Sequence, residues 1–337
     1  MSTLSIAIAR SPMRPRRVLL VLLGLAAVVL AAFFAALAAG EVAAGPRAIL
    51  DALRGQPDDM AATVVAQLRL PRAMAAFGCG GLLALSGALM QVLLRNPLAD
   101  PYVLGISGGA AVGALSALLL GLATPWVDGA ALAGALLSMF AVFGIARGPG
   151  SWTQTRLLLT GVVVASGCGA LVSLLLAISP DRALRGMLFW LMGDAGAADR
   201  PWLVLGVLIL GVLASLPMAR ELNLLARGER HARALGVDTR RVATIVFLLA
   251  SLLTAAAVTA VGAVGFVGLV VPHLLRLVLG NDQRLLLPAS ALGGGGLLLI
   301  ADTAARTAVA PLQLPVGVLT ALIGVPLFLW LLSRHPR

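Results

Sequence analysis

The chain has 337 residues, 60% of them apolar and 12% charged, with a formal net charge of +11. Several apolar runs approach or exceed the ~20 residues that a transmembrane helix needs, which excludes a soluble globular domain and points to an all-α polytopic membrane protein. The positive excess then marks cytoplasmic loops and ends rather than a nucleic-acid surface, and because every base is arginine, no phosphate-binding loop ending in Gly-Lys-Ser/Thr exists here, so any ATP that drives this protein is bound by another chain.

Arg10, Arg14, Arg16 and Arg17 precede the apolar run 18–40. A signal peptide also opens on a basic region. This run is long and lacks a clear small-residue cleavage site, so it reads as a retained first helix behind a cytoplasmic tail, residues 1–17. Residues 41–66, with Asp51, Asp58 and Asp59, read as an extracytoplasmic connection. Helix two, 68–94, opens on QLRLPR, with Pro71 in a first turn where its missing N–H is not needed. Arg69 and Arg72 then fall at the outer mouth, against the usual bias of arginine. Either they snorkel to the headgroups or they act there.

RNPLADP, 95–101, is a cytoplasmic turn whose two prolines prevent a continuous helix. Asn96 can cap it with its side chain, which makes 96–101 a candidate inner constriction. Gly105, Gly109 and Gly113 recur every four residues, a ridge that suits close helix packing and would also suit a pore lining. Helix three ends near Ala123, helix four covers 126–146, and helix five covers 157–178 after an inner loop, 147–156. Cys79 and Cys168, in separate apolar runs, form no disulfide framework and no metal-ligand spacing.

Residues 179–200 form an amphipathic outer segment whose centre, MLFWLMG, reads as a half-helix dipping into the membrane or as an interfacial helix anchored by Trp190. Helix six covers 202–219. The stretch 220–241, RELNLLARGERHARALGVDTRR, is dense in charge and too short of apolar residues to span a bilayer. Leu222, Leu224, Leu225, Ala232, Leu235 and Val237 are spaced to form one face of a short helix or two, with breaks at Gly228 and Gly236. Such a loop suits docking to a soluble protein, with nothing of its own chain evident to cover the apolar face. A plain solvated loop is the alternative. Helix seven covers 242–262. A short segment then carries Pro272, His273 and Arg276, where His273 reads as a structural hydrogen bonder or a relay. Helix nine, 285–305, ends with Asp302 and Arg306 four residues apart and facing each other. Helix ten covers 316–332, and Arg334 and Arg337 close the chain inside. The tally is about ten crossings with both termini cytoplasmic, in one transmembrane domain spanning 1–337.

Several strings resemble one family in order along the chain: RLPR at 69–72, SGALMQ at 86–91, RNPLADPYVLGISGGAAVGA at 95–114, RLLLTGV at 156–162, LFWLMG at 188–193, LNLLARGERHARALGV at 222–237, GFVGLVVPHLLR at 265–276 and ADTAARTAVAPLQLPVGVLTALIGVPLFLWLL at 301–332. They are similar to the membrane subunit of type II ATP-binding-cassette importers, the FecCD/BtuC-like group that takes up vitamin B12, ferric siderophores and haem.

The resemblance implies a BtuC-like, ten-helix homodimer in the bacterial inner membrane. It further implies a cytoplasmic ATPase dimer, which uses ATP and magnesium, and a periplasmic substrate-binding protein. It carries ATPase coupling to Glu221, Leu222, Leu224, Leu225, Gly228, Glu229, Arg230, Ala232, Leu235 and Gly236. It carries binding-protein docking to Arg69, Arg72 and Arg306, and the cytoplasmic gate to Asn96, Pro97, Leu98, Thr153, Gln154 and Thr155. Gln154 stands where the family can hold a smaller polar residue. The chain itself then holds no catalytic site, metal or cofactor, and the likeness of the arginine-rich chain and its outer FWLMG segment to haem-uptake members implies haem as cargo over ferric siderophore or vitamin B12. Two other classes fit less well. An ion-coupled secondary transporter would keep ionisable groups at mid-membrane, and an intramembrane enzyme would cluster its acids and bases, whereas His231, His273 and His335 are scattered.

Overall fold

The structure, a computed structural model, describes residues 15–56, 59–147, 153–310 and 312–334. Arg10, Arg14, Asp58, His335 and Arg337 lie outside them. The described residues form fifteen α-helices and no strand. The helices are α1 Pro15–Ala38, α2 Pro46–Leu53, α3 Met60–Val64, α4 Leu70–Leu93, α5 Ile106–Leu119, α6 Thr124–Ala146, α7 Gln154–Ile178 and α8 Asp181–Met192. They continue as α9 Pro201–Ser215, α10 Ala219–Ala226, α11 Glu229–Ala234, α12 Thr239–Val261, α13 Val267–Leu279, α14 Gln283–Thr307 and α15 Val316–Arg334. Seven helical stretches are long and apolar enough to cross a membrane: Val18–Ala38, Met60–Leu93, Thr124–Ala146, Gln154–Ile178, Pro201–Ala226, Thr239–Val261 and Gln283–Thr307. Three shorter apolar helices, Ile106–Leu119, Val267–Leu279 and Val316–Trp330, accompany them.

Helix two begins earlier than its sequence suggests. Asp59 caps α3, accepting from the Ala62 N–H at 2.6 Å, and the helix then runs 34 residues to Leu93. Pro71 therefore lies well inside a rod rather than in its first turn. A proline there removes one N–H and crowds the preceding carbonyl. The chain absorbs this in a π-helical turn, Val65–Arg69, closed by the Leu70 N–H on the Val65 carbonyl. The predicted loop 41–66 likewise contains α2 and α3.

α4 is the central helix. Almost all of its apolar span is buried, including Leu82, Leu83, Leu85, Leu89 and Met90. It passes α14 at backbone contact: a Cβ on Gly80 would overlap the Gly294 carbonyl, and one on Gly294 would overlap the Gly80 carbonyl. The predicted glycine ridge does the same between α5 and α6, where Gly109 faces Gly134 and Gly113 faces the Ala130 carbonyl. Its role is helix packing. By contrast α7, apolar over 25 residues, is scarcely buried within this chain.

Contacts between helix termini define two ends of the bundle. Arg95 meets Gln154, Arg147 meets Thr244 and Asn223 meets Asp282 at one end. At the opposite end Arg69 reaches the terminus of α1, and Arg72 meets Asp302 and Asp194. The first end carries Arg95, Arg147, Arg220, Arg227, Arg230, Arg240 and Arg241, all exposed. Few acids accompany them.

Candidate functional site

At the arginine-rich end, α9 does not stop at the expected 219. It turns through a 3-10 step at Leu216–Met218 directly into α10, and α11 follows after Gly228. Gly228, at φ +123°, sits between α10 and α11, and Gly236, at φ +81°, follows the end of α11, so both expected breaks are present. The expected uncovered apolar face is not. Leu222, Leu225 and Ala232 are buried, at 0%, 3% and 0% exposure, because α10 and α11 lie against α4, α12 and α14 of the same chain. Leu224 and Glu229 are half-buried, whereas Glu221, Arg230, Leu235 and Gly236 are exposed. Leu235, at 56%, is the large apolar side chain this segment offers outward.

Two polar clasps hold the segment. The Asn223 amide donates to Asp282 Oδ1 at 2.9 Å and its oxygen accepts from the Gln283 N–H at 2.9 Å, which fixes α10 to the start of α14. Arg233 pairs with Glu229 and donates to Thr239 Oγ1 at 2.9 Å, which fixes α11 to the start of α12. Sequence reading overlooked Asn223, although an amide on a mostly apolar helix face was the available signal.

The two predicted gate segments come together beside this element. Asn96 Oδ1 accepts from the Leu98 N–H at 2.9 Å, the turn expected of an Asn before proline. Thr153 caps α7, accepting from the Arg156 N–H at 3.2 Å. Gln154 joins the halves: its amide donates to the Leu93 carbonyl at 2.6 Å, and its oxygen accepts from Arg95 Nε at 3.0 Å and a second Arg95 nitrogen at 2.7 Å. A shorter polar side chain at 154 would not span both contacts. Pro97, Leu98, Thr153 and Thr155 are exposed. Just below, Arg276 on α13 donates to Gln91 Oε1 at 3.0 Å, and Gln91 donates to the Leu269 carbonyl at 3.2 Å.

Further along the chain, Asp100 accepts from the Tyr102 N–H at 2.7 Å, and the Tyr102 hydroxyl both donates to and accepts from the Val264 backbone at 2.9 Å. Enclosure by protein pushes the Asp100 carboxyl up to about 6, with the Tyr102 N–H opposing.

At the opposite end the three arginines are engaged within the chain. Arg69, 7% exposed, donates to the carbonyls of Leu37, Ala38 and Val42 at 2.9, 3.1 and 2.5 Å. Arg306 donates to the carbonyls of Ala36 and Ala39. Together they answer the open carbonyls at the end of α1 and add favourable charge there. Asp302 does not pair with its helix neighbour Arg306; a bidentate Arg72 takes it, with Nε at 2.9 Å and a terminal nitrogen at 2.9 Å. Planar fork-to-carboxylate geometry outcompetes the i,i+4 contact. Arg72 also reaches Asp194 at 3.3 Å and Gln313 at 2.9 Å. Of the three arginines expected to dock a partner, Arg69 and Arg306 thus spend donors on α1, and Arg72 meets Asp302, Asp194 and Gln313.

The segment 179–200, expected on the outer side, contains a 12-residue helix, α8, whose Phe189 and Trp190 line a cavity of about 210 Å³ with Asp128, Asp194 and Thr259. A second cavity of similar size, lined by Phe266, Val270, Leu274, Leu297 and Ile323, is apolar. Among the described residues no group of three His, Cys, Asp or Glu side chains is placed to hold a metal ion.

Residues 28–334 match the FecCD transport family. The chain belongs to that family. Among its relatives, the cobalamin import system permease protein BtuC of Halobacterium salinarum is 46% identical over 280 residues, 81% of this chain and 74% of that protein. The hemin transport system permease protein HmuU of Yersinia pestis is 45% identical over 284 residues, 80% of this chain and 82% of that one. The vitamin B12 import system permease protein BtuC of Vibrio vulnificus is 41% identical over 97% of each chain. A metal-chelate type ABC transporter solved in an inward-facing conformation superposes with a TM-score of 0.85 at 31% identity, covering 94% of this chain and 99% of that one. The fold is therefore that of a FecCD-family, BtuC-like permease.

Proposed function

We propose that this chain is the membrane-spanning permease subunit of an ATP-driven importer. It works as a homodimer in the bacterial inner membrane with a cytoplasmic ATPase dimer and a periplasmic substrate-binding protein. The observation that carries this is the family match over 28–334. On this reading the arginine-rich end is cytoplasmic, supported by the bias of arginine to that side. The second copy lies against α7, supported by its scant burial and by Gly167 and Gly169, where an added side chain would meet no neighbouring helix of this chain.

The mechanism follows from rigidity. Closure of the ATPase dimer pushes on the outward face of α10 and α11, with Leu235, Glu221 and Arg230 as contacts. The Asn223–Asp282 and Arg233–Thr239 clasps pass that push to α14 and α12. The Arg95–Gln154–Leu93 bridge opens and closes the inner gate. Arg72, Arg69 and Arg306 mark the outer rim where the binding protein docks, with Arg72 as the side chain that meets its carboxylates. The chain does no covalent chemistry, and ATP and magnesium belong to the ATPase. Asp302, buried within a spanning helix, is paired with Arg72, which leaves it poorly suited to couple an ion.

Haem is the cargo we propose, supported by the 45% identity with the hemin permease of Yersinia pestis. A corrinoid is the second reading, favoured by the 46% identity with the cobalamin permease of Halobacterium salinarum. ATP hydrolysis by the assembled complex, titrated with binding protein carrying haem or cobalamin, separates them. Stimulation by haem alone upholds the first reading, and stimulation by cobalamin alone replaces it with the second.

A further inference from the structure

Arg72 holds four segments at one point. Its Nε and one terminal nitrogen grip Asp302 of α14 at 2.9 Å each, and Asp302 is 2% exposed, so the guanidinium is fixed from behind. Its other terminal nitrogen donates to Gln313, in the stretch that leads into α15, at 2.9 Å. A longer contact, 3.3 Å, reaches Asp194 just past the end of α8, whose side chain is 38% exposed. Those last two segments are themselves joined, since the Val316 N–H at the start of α15 donates to the Gly193 carbonyl at 3.1 Å. Gly193, at φ +78°, packs against the turn after α12. The end of α8 and the start of α15 thus form one unit, tied by the Arg72 side chain to the central helix α4, and held to α12 and α14 by the Asp194 N–H on the Val261 carbonyl at 2.8 Å and the Leu314 N–H on the Ala305 carbonyl at 3.0 Å.

We propose that Arg72 is the latch of the outer end: Asp302 holds it in place, and Asp194 and Gln313 are the partners it releases. The asymmetry supports this. The Asp302 contact is buried, short and bidentate, whereas the Asp194 contact is long and open to water, where an ion pair is weak. An incoming protein carboxylate therefore competes with Asp194, not with Asp302. Exchange removes the Asp194 side-chain tie and loosens the end of α8 and the start of α15, which then rest on Gln313 and on their backbone bonds. Asp302 is a positioning residue, acting through Arg72. The exchange step rests on the proposed docking of a binding protein; the latch itself does not.

The test uses the full-length chain in nanodiscs, in a Cys168→Ser background, with spin labels at Leu188→Cys on α8 and Leu53→Cys on α2, both exposed, and with the labelled chain diluted in excess unlabelled chain so that each dimer carries one labelled subunit. The parent should give one dominant distance, with any open population below ~10%. Asp194→Asn combined with Gln313→Ala should raise that population at least about threefold, and Gln313→Ala alone, which changes no charge, should shift it the same way by less. A thermal midpoint near that of the parent shows that the variants are folded. Soluble polyglutamate should enrich the open population in the parent and not in Arg72→Gln. An unchanged single distance in both latch variants overturns the latch. An unchanged distance in the parent with polyglutamate overturns carboxylate exchange, and neither outcome bears on whether the chain is an importer subunit.

Discussion

Leu222 and Leu235 look equivalent in sequence, and the structure separates them. Leu222 is fully enclosed beneath α10, and Leu235 is 56% exposed at the end of α11. Truncating a buried leucine loses its transfer free energy and leaves a cavity, so Leu222→Ala should cost about 2–5 kcal/mol. Fully burying a leucine is worth roughly 1.5–3 kcal/mol, so the less than half of Leu235 that is covered sets an upper limit of about 1 kcal/mol for Leu235→Ala. Leu235→Asp should stay close to that limit, because the new carboxylate points to water. Its effect should fall on assembly instead, removing an apolar contact from the face offered to the ATPase. The assay pairs thermal unfolding of the permease in nanodiscs with capture of the ATPase by a tagged permease. Leu222→Ala should lower the melting temperature and reduce capture only as far as protein is lost, whereas Leu235→Asp should melt like the parent and capture little. If Leu235→Asp captures normally, or melts as low as Leu222→Ala, α10 and α11 are not the coupling surface described.

Three further outcomes follow from other contacts. Arg69→Leu leaves the carbonyls of Leu37, Ala38 and Val42 without their donor, at roughly 1–3 kcal/mol for each acceptor that water cannot reach; thermal unfolding should show a clear drop that Arg69→Lys partly restores. Gln154→Ala removes the bridge between Leu93 and Arg95 and should raise ATP-independent leak of cargo from proteoliposomes, with Gln154→Glu, which keeps the acceptor for Arg95 and loses the donor to Leu93, in between. For Asp100 the folded carboxyl sits at about 6, above its ordinary 3.8, so the neutral form is favoured by folding. Its contribution is fully present below about pH 4 and lost as pH rises to about 6, a change of about 1–3 kcal/mol given its residual exposure. Asp100→Asn, which keeps an oxygen to accept from Tyr102, should flatten that part of the stability–pH curve and match the parent near pH 4.

Helices were legible because lipid demands long apolar runs, and the turns because glycine and proline punctuate them. The 157–178 helix starts at Gln154 in the structure, and the glycine ridge packs against α6 as its spacing suggests. What sequence misjudged was partner choice across distance. Asp302 and Arg306 satisfy the helix spacing rule, yet Arg72, 230 residues away in the chain, takes the carboxylate because its fork fits it flat. Arg69 looked exposed because arginine at an outer mouth is normally solvated, and no local pattern reveals that the end of α1 lies beside it. Pro71 looked like a helix start, since a π-helical turn has no sequence signature of its own. The candidate gate at 153–155 was suggested by family resemblance, and the one at 96–101 also by its two prolines and Asn96. The reason Gln154 suits its place, a reach that spans Leu93 and Arg95, appears only once α4 and α7 are set side by side.

The most direct test of the central claim is cargo uptake into proteoliposomes containing this permease and its ATPase, with binding protein supplied on the outside and ATP enclosed within. The account predicts uptake that requires both, ceases with a non-hydrolysable nucleotide and is indifferent to proton and sodium gradients. Uptake that proceeds without ATP and follows an imposed ion gradient would contradict it.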